Sequence, residues 1–140
     1  MTTQVTPYLF FNGDCKEAMT FYQQCLGGTL ALTTVGETPM ADQMPAEKRE
    51  MIMHSNLMLE GVPLLMASDD IMGGTKDGSR ITLSMSFNSE KDINNTFTKL
   101  SEGGKIIHPV TKEFWGAFFG QFTDKFGIQW MMNCDETSTS

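Results

Sequence analysis

The chain has 140 residues, with 10 Lys and Arg against 17 Asp and Glu, and a formal charge of −7. At 40% hydrophobic it is too apolar to stay disordered, and its length leaves no room for two large domains. The acidic balance, without any Lys/Arg cluster, argues against nucleic acid or an anionic membrane as a main partner.

A chain of this length buries roughly 68% of its unfolded surface, enough for one self-sufficient core. No run of about 18 apolar residues is present, so no span through a bilayer is expected. The opening MTTQVTPYLFF has neither a basic n-region nor a small-residue cleavage site, and reads as no signal peptide. Cys15, Cys25 and Cys134 make an odd count without CxxC spacing. They are expected to be free thiols acting as small hydrophobes in a cytoplasmic protein.

In chain order, VTPYLFF (5–11) is short, apolar and β-rich, and predicts a strand. Asn12-Gly13-Asp14 then turns the chain, and Asp14 with Glu17 has capping-box spacing. Ala18, Phe21, Tyr22, Cys25 and Leu26 fall on one helical stripe, which Gly27-Gly28 ends. TLALTTV (29–35) predicts a second strand. Residues 36–50 are polar, hold Pro39 and Pro45, and predict a loop with one helical turn at 46–50. MIMHSNLML (51–59) and VPLLMA (62–67) predict strands joined by a Glu60-Gly61 hairpin. The turn-rich 68–79 stretch is the best internal boundary, and Asp69-Asp70 reads as a solvated turn pair. RITLSMSF (80–87) is the next strand. A helix follows from Ser89, with Asp92 at capping-box spacing, an Ile93/Thr96/Phe97/Leu100 stripe and a stop at Gly103-Gly104. Residues 105–108, 114–122 and 128–133 predict three more strands, and 135–140 a frayed tail.

The order repeats itself. A shift of 76 residues puts Phe11-Asn12 on Phe87-Asn88, Phe21 on Phe97 and Gly27-Gly28 on Gly103-Gly104. Each half reads strand, helix, then three strands. The expected fold is therefore α+β, with two tandem βαβββ modules: module one over about 5–68, a linker over 69–79, and module two over about 80–134. Charge is unequal, with 9 acids and 3 bases in residues 1–75 and 8 acids and 7 bases in 76–140.

The stretches PYLFFNGDCKEAMTFYQQCLGG, MPAEKREMIMHSNLMLEGVPLLMASD and FWGAFFGQFTDKFGIQWMMN carry a resemblance. Together with the duplicated βαβββ order, they resemble the PhnB-like branch of the vicinal-oxygen-chelate superfamily of glyoxalases, bleomycin resistance proteins and extradiol dioxygenases. The resemblance covers 5–134. It implies curved sheets around a central cup, a homodimer, and a small molecule as partner. Metal-dependent members hold a divalent ion with His and Glu. Those positions fall here on Thr6 or Pro7, Leu65 or Met66, Thr82 or Ser84, and Met131. None suits a hard or borderline cation, so neither metal nor cofactor is expected. The function so implied is metal-free small-molecule binding. The alternative is a metal-dependent lyase, isomerase or dioxygenase using shifted ligands.

No G-x-S-x-G, H-E-x-x-H or P-loop pattern occurs, and no glycine-rich turn after the first strand suggests a methyltransferase. His54 is the best single titratable candidate for catalysis. His108, before Pro109, reads as a surface or loop anchor, and Glu113 has no partner by spacing. Strand alternation places Trp115, Ala117, Phe119 and Gln121 on one face of 114–122, and Gln129 and Met131 together on 128–133. Trp115, Phe119, Gln121, Gln129 and Met131 combine apolar area with a few amides. They are the expected substrate-binding surface.

Overall fold

The computed structural model describes residues 5–71, 73–76, 78, 80–113 and 116–135. The chain divides into two units, Met1–Lys76 and Asp77–Ser140. Both are βαβββ modules built on a four-stranded mixed sheet, as the repeat predicts.

In module one the elements are β1 (Tyr8–Phe11), α1 (Cys15–Leu26), β2 (Thr29–Thr34), β3 (Ile52–Leu59) and β4 (Val62–Asp69). The sheet order is β1-β4-β3-β2, with β1 parallel to β4 and the other pairs antiparallel. Helix α1 buries Cys15, Ala18, Met19, Phe21 and Tyr22. The sheet face beneath it supplies Phe11, Ile52, Leu57, Leu65 and Ala67. Ser55 marks that face: its Oγ lies 3.6 Å from Cys15 Sγ and donates to the Ala67 carbonyl at 2.7 Å. At the hairpin, Glu60 and Gly61 take φ of 53° and 81°. Two successive left-handed residues match the right-handed twist of β3 and β4.

Two expectations for this module change. Asp14 does occupy the N-cap position of α1, but its side chain makes no capping bond. Its backbone (φ −112°, ψ 23°) is not the extended conformation that aims a capping oxygen at the helix. The cap comes from Asp69, expected in a solvated turn but only 4% exposed at the end of β4. Parallel pairing sets Asp69 opposite Phe11, next to the helix start. Its Oδ1 accepts from the Gly13 and Cys15 amides, both at 2.9 Å, and its Oδ2 from the Ile52 amide at 2.8 Å. Asp70 is the turn residue, accepting from Gly73 N–H and Thr75 Oγ1. The 36–50 loop also holds more order than one turn. It forms 3-10 turns at Val35–Glu37, Pro39–Gln43 and Ala46–Lys48. Glu37 accepts from Thr34 N–H, and Thr38 Oγ1 from Met40 N–H, which nucleate the first two.

In module two the elements are β5 (Leu83–Phe87), α2 (Glu90–Leu100), β6 (Lys105–Lys112), β7 (Ala117–Thr123) and β8 (Gln129–Asp135), ordered β5-β8-β7-β6. Here the local cap forms as predicted: Ser89 is extended and its Oγ accepts from Asp92 N–H at 3.1 Å. Ile93, Phe97 and Leu100 are buried. Phe97 packs edge-on against Phe122 at 5.0 Å between ring centroids, and Phe122 stacks on Trp130 at 6.5 Å. Gly120 lets Phe97 reach the sheet, since a Cβ there would stand 2.7 Å from Phe97 Cε2. Asp124 closes the β7–β8 turn, accepting from Phe126 N–H, Ile128 N–H and Trp130 Nε1–H. Strand β6 runs on to Lys112, beyond the expected 105–108. Register shifts on either side of His108 absorb Pro109, which an edge strand tolerates because no partner needs its missing N–H. Phe114, Trp115 and the 136–140 tail lie outside the described residues.

Two outcomes follow from these cores. Asp69→Ala leaves three amide donors without their acceptor and should destabilise the protein by about 3 kcal/mol, read from the urea midpoint. Burial pushes the Cys15 thiol up to about 12, with the Asp69 and Asp14 charges adding and the Ser55 contact opposing. A raised folded value favours the neutral thiol. This contribution is complete below the ordinary value of 9.0 and is lost as pH rises from there toward 12. Cys15→Ala should therefore lose less stability than the parent protein between those pH values, measured by denaturation at stepped pH.

Candidate functional site

One helix covers one face of each sheet, and the opposite face carries no helix of its own module. On the open face of module one, the register sets Tyr8 opposite Met66 and Met66 opposite Asn56, while His54 lies opposite Thr33. The Tyr8 ring tilts against Phe10 at 5.2 Å and against the His54 ring at 6.0 Å. Its hydroxyl reaches over β4 to within 3.4 Å of His54 Nδ1. Tyr8, Phe10 and His54 are all exposed. The histidine singled out in the sequence thus stands in a small aromatic cluster with a phenol as its polar neighbour. Asn56 differs from the rest: its Oδ1 is buried without a hydrogen-bond partner.

On module two, Phe119 pairs with Asn133, Gln121 with Met131 and Thr123 with Gln129. Phe119, Gln121, Gln129 and Met131 therefore share one face, the side of β7 and β8 away from Phe97, Phe122 and Trp130. All four are half-buried. Trp115 belongs to the same alternation in the sequence but lies outside the described residues. The four are not equivalent chemically. The Gln129 amide donates to the Gly78 and Ile81 carbonyls at 2.9 and 3.1 Å and ties down the chain entering β5.

Sequence reasoning missed the neighbours of Phe119. His108 meets its ring edge-on at 5.5 Å. His108 Nδ1 lies 2.7 Å from the Pro109 carbonyl, which can only accept, so this contact places a proton on Nδ1. Its Nε2 lies 3.4 Å from Glu113 Oε1, and Thr111 Oγ1 donates to Glu113 Oε2 at 2.7 Å. Glu113, without a partner by spacing, gains two just past β6: Thr111, two residues before it, and His108, on the far side of the register shift that follows it. A bulge re-aims side chains without a strong local sequence mark.

The positions that hold a divalent ion in metal-dependent relatives can now be placed. Thr6 and Pro7 precede β1 and Thr82 precedes β5, while Met66 lies on β4 opposite Asn56, and Ser84 faces Met131 across β5 and β8. Leu65 points to the buried side. Aliphatic hydroxyls, thioethers, a proline and a leucine do not suit Mg, Mn, Fe or Zn. Among the described residues, no group of three or more His, Cys, Asp or Glu could hold a metal ion. These residues do not fit the His/Glu-held ion.

The Gln129 anchor has a direct test. Gln129→Ala should free residues 78–81 and speed tryptic cleavage after the exposed Arg80 by about fivefold, followed by mass spectrometry of the native protein.

The comparisons agree with this architecture. The family model of the glyoxalase/bleomycin resistance protein/dioxygenase superfamily matches residues 4–132. Protein YjdN of Escherichia coli (strain K12) is 33% identical over 138 residues, covering 92% of this chain and 93% of that protein. The crystal structure of protein PA1353 from Pseudomonas aeruginosa is 38% identical with a TM-score of 0.85, covering 99% of this chain and 100% of that one. A PhnB protein from Bacillus cereus shares the fold at 23% identity and a TM-score of 0.77, covering 94% and 99% of the two chains. With its duplicated βαβββ order, the chain belongs to the glyoxalase/bleomycin resistance protein/dioxygenase superfamily.

Proposed function

We propose that this chain is a PhnB-like small-molecule-binding protein that works as a cytoplasmic homodimer and binds without the His/Glu-held metal of its relatives. The binding surface is the open face of module two, with Phe119 and Met131 as apolar contacts and Gln121 as the polar one. Trp115 is included from the sequence pattern, and Gln129 holds the border of the face. The observation that carries this reading is the company these residues keep. An aromatic ring, a polarisable thioether and an amide share one face of β7 and β8, while the positions that hold the ion in metal-dependent relatives offer Thr, Pro, Leu, Met and Ser. Thioethers adapt to irregular ligands, and sparse polar groups among apolar area suit a small partly aromatic molecule.

Homodimerisation is supported by apolar side chains left exposed: Phe10, Ile81, Ile106 and Ile107 are all more than half exposed. The three free cysteines fit a reducing compartment. His54 is the residue for any proton transfer on module one, since its ring is exposed and its only described polar neighbour is the Tyr8 hydroxyl.

The test is a thermal-shift and calorimetric screen of aromatic small molecules on chelator-treated protein. Compounds should bind without added metal, and Phe119→Ala should weaken them about tenfold. Metal-dependent binding that is lost in His54→Ala would refute the reading, as would no shift with any compound. Sedimentation should give twice the 15.6 kDa chain mass.

A further inference from the structure

The two open faces share a feature that their ring and thioether content does not explain. In module one Met66 stands between Tyr8 and Asn56, and in module two Met131 stands between Ser84 and Gln121. The same place in each sheet thus carries a methionine beside a carboxamide. Four of the chain's other amides serve the backbone: Asn12 donates to the Thr75 carbonyl, Gln23 to Gly28, Asn94 to Glu90, and Gln129 to Gly78 and Ile81. Asn56 and Gln121 do not, and neither has a partner among the described residues. For Asn56 this is unfavourable, because its Oδ1 is buried and unpaired. A folded chain gains nothing from an orphaned acceptor, and an apolar residue of similar shape would be more stable there.

The surroundings say what could complete it. An oxygen acceptor needs a donor. The rings of Tyr8, Phe10 and His54 offer faces to a flat apolar body. No Lys or Arg lies on β1, β2, β3 or β4, and residues 1–75 carry 9 acids against 3 bases, so an anion finds no counter-charge. Met66, with three rotatable side-chain bonds, is the neighbour that can move aside to open the path to Asn56. We propose that Asn56, with Gln121 as its counterpart in module two, is a ligand-recognising residue, and that the molecules bound are aromatic compounds bearing an N–H donor rather than carboxylates. This rests on the small-molecule-binding reading above and names its ligand class.

The experiment titrates the full ¹⁵N-labelled chain with benzamide, benzoate and ethylbenzene, following the side-chain NH₂ signals of Asn56 and Gln121. Benzamide should move both signals and bind at least fivefold more tightly than ethylbenzene, by the order of one hydrogen bond, with benzoate weakest. Asn56→Leu should raise Tm by about 3 °C and remove the preference for benzamide at module one. Asn56→Asp keeps an acceptor and should keep the preference, which covers the case in which the leucine variant does not fold. Equal binding of benzamide and ethylbenzene, or an unchanged preference in Asn56→Leu, would overturn the inference while leaving small-molecule binding intact. No binding by any of the three would remove both.

Discussion

A single helix can cover only one face of a four-stranded sheet, and in each module that constraint sorts core from surface. Alternation then decides the rest. Residues of β7 and β8 that face Phe97 become core, and their neighbours one step along the chain are left for other uses. Phe122 and Trp130 stack in the interior, while Gln121 and Met131 stand on the far side. A slip of one residue would exchange the two sets, so the packing of the helix and the composition of the open face are fixed by one register.

The duplicated modules solve the same local problem differently. Both helices begin where the first strand ends, and both need an acceptor for their free amides. In module two Ser89 supplies it from the chain itself. In module one Asp69 supplies it from β4, joining the β1–α1 turn, the helix start and the first residue of β3 through one carboxylate. The counterpart of Asp69 in register is Cys134, opposite Phe87. The cap of the first helix therefore depends on a contact between residues more than fifty positions apart, and that of the second does not.

The open faces have also diverged. Module one presents a cluster of Tyr8, Phe10 and His54, and module two a ring–imidazole–carboxylate group of Phe119, His108 and Glu113. What they keep in common is the methionine–carboxamide pair at one register position, together with metal-holding positions that carry no His or Glu. Those positions offer none of the imidazole or carboxylate donors that hold a divalent ion in metal-dependent relatives.

Much of this was legible in the chain. The 76-residue repeat, the helix stripes, the Glu60-Gly61 hairpin and the Ser89 cap are short-range patterns, and each arises from physics acting within a few residues. The shared face of Phe119, Gln121, Gln129 and Met131 followed from strand alternation alone. Three things did not. Asp69 looked like a turn residue because its three partners reach it through parallel pairing and the helix start. The His108–Glu113 contact depends on register shifts in an edge strand that has no periodicity to announce them. The roles of Gln129 and Asn56, one amide tied to the backbone and the other left alone, depend on which carbonyls happen to come near. The sequence by itself determined the order of elements and which residues share a face, because these follow from local periods. Only the tertiary structure decided which polar side chains are satisfied, because hydrogen bonds between distant segments exist only once both have been packed into place.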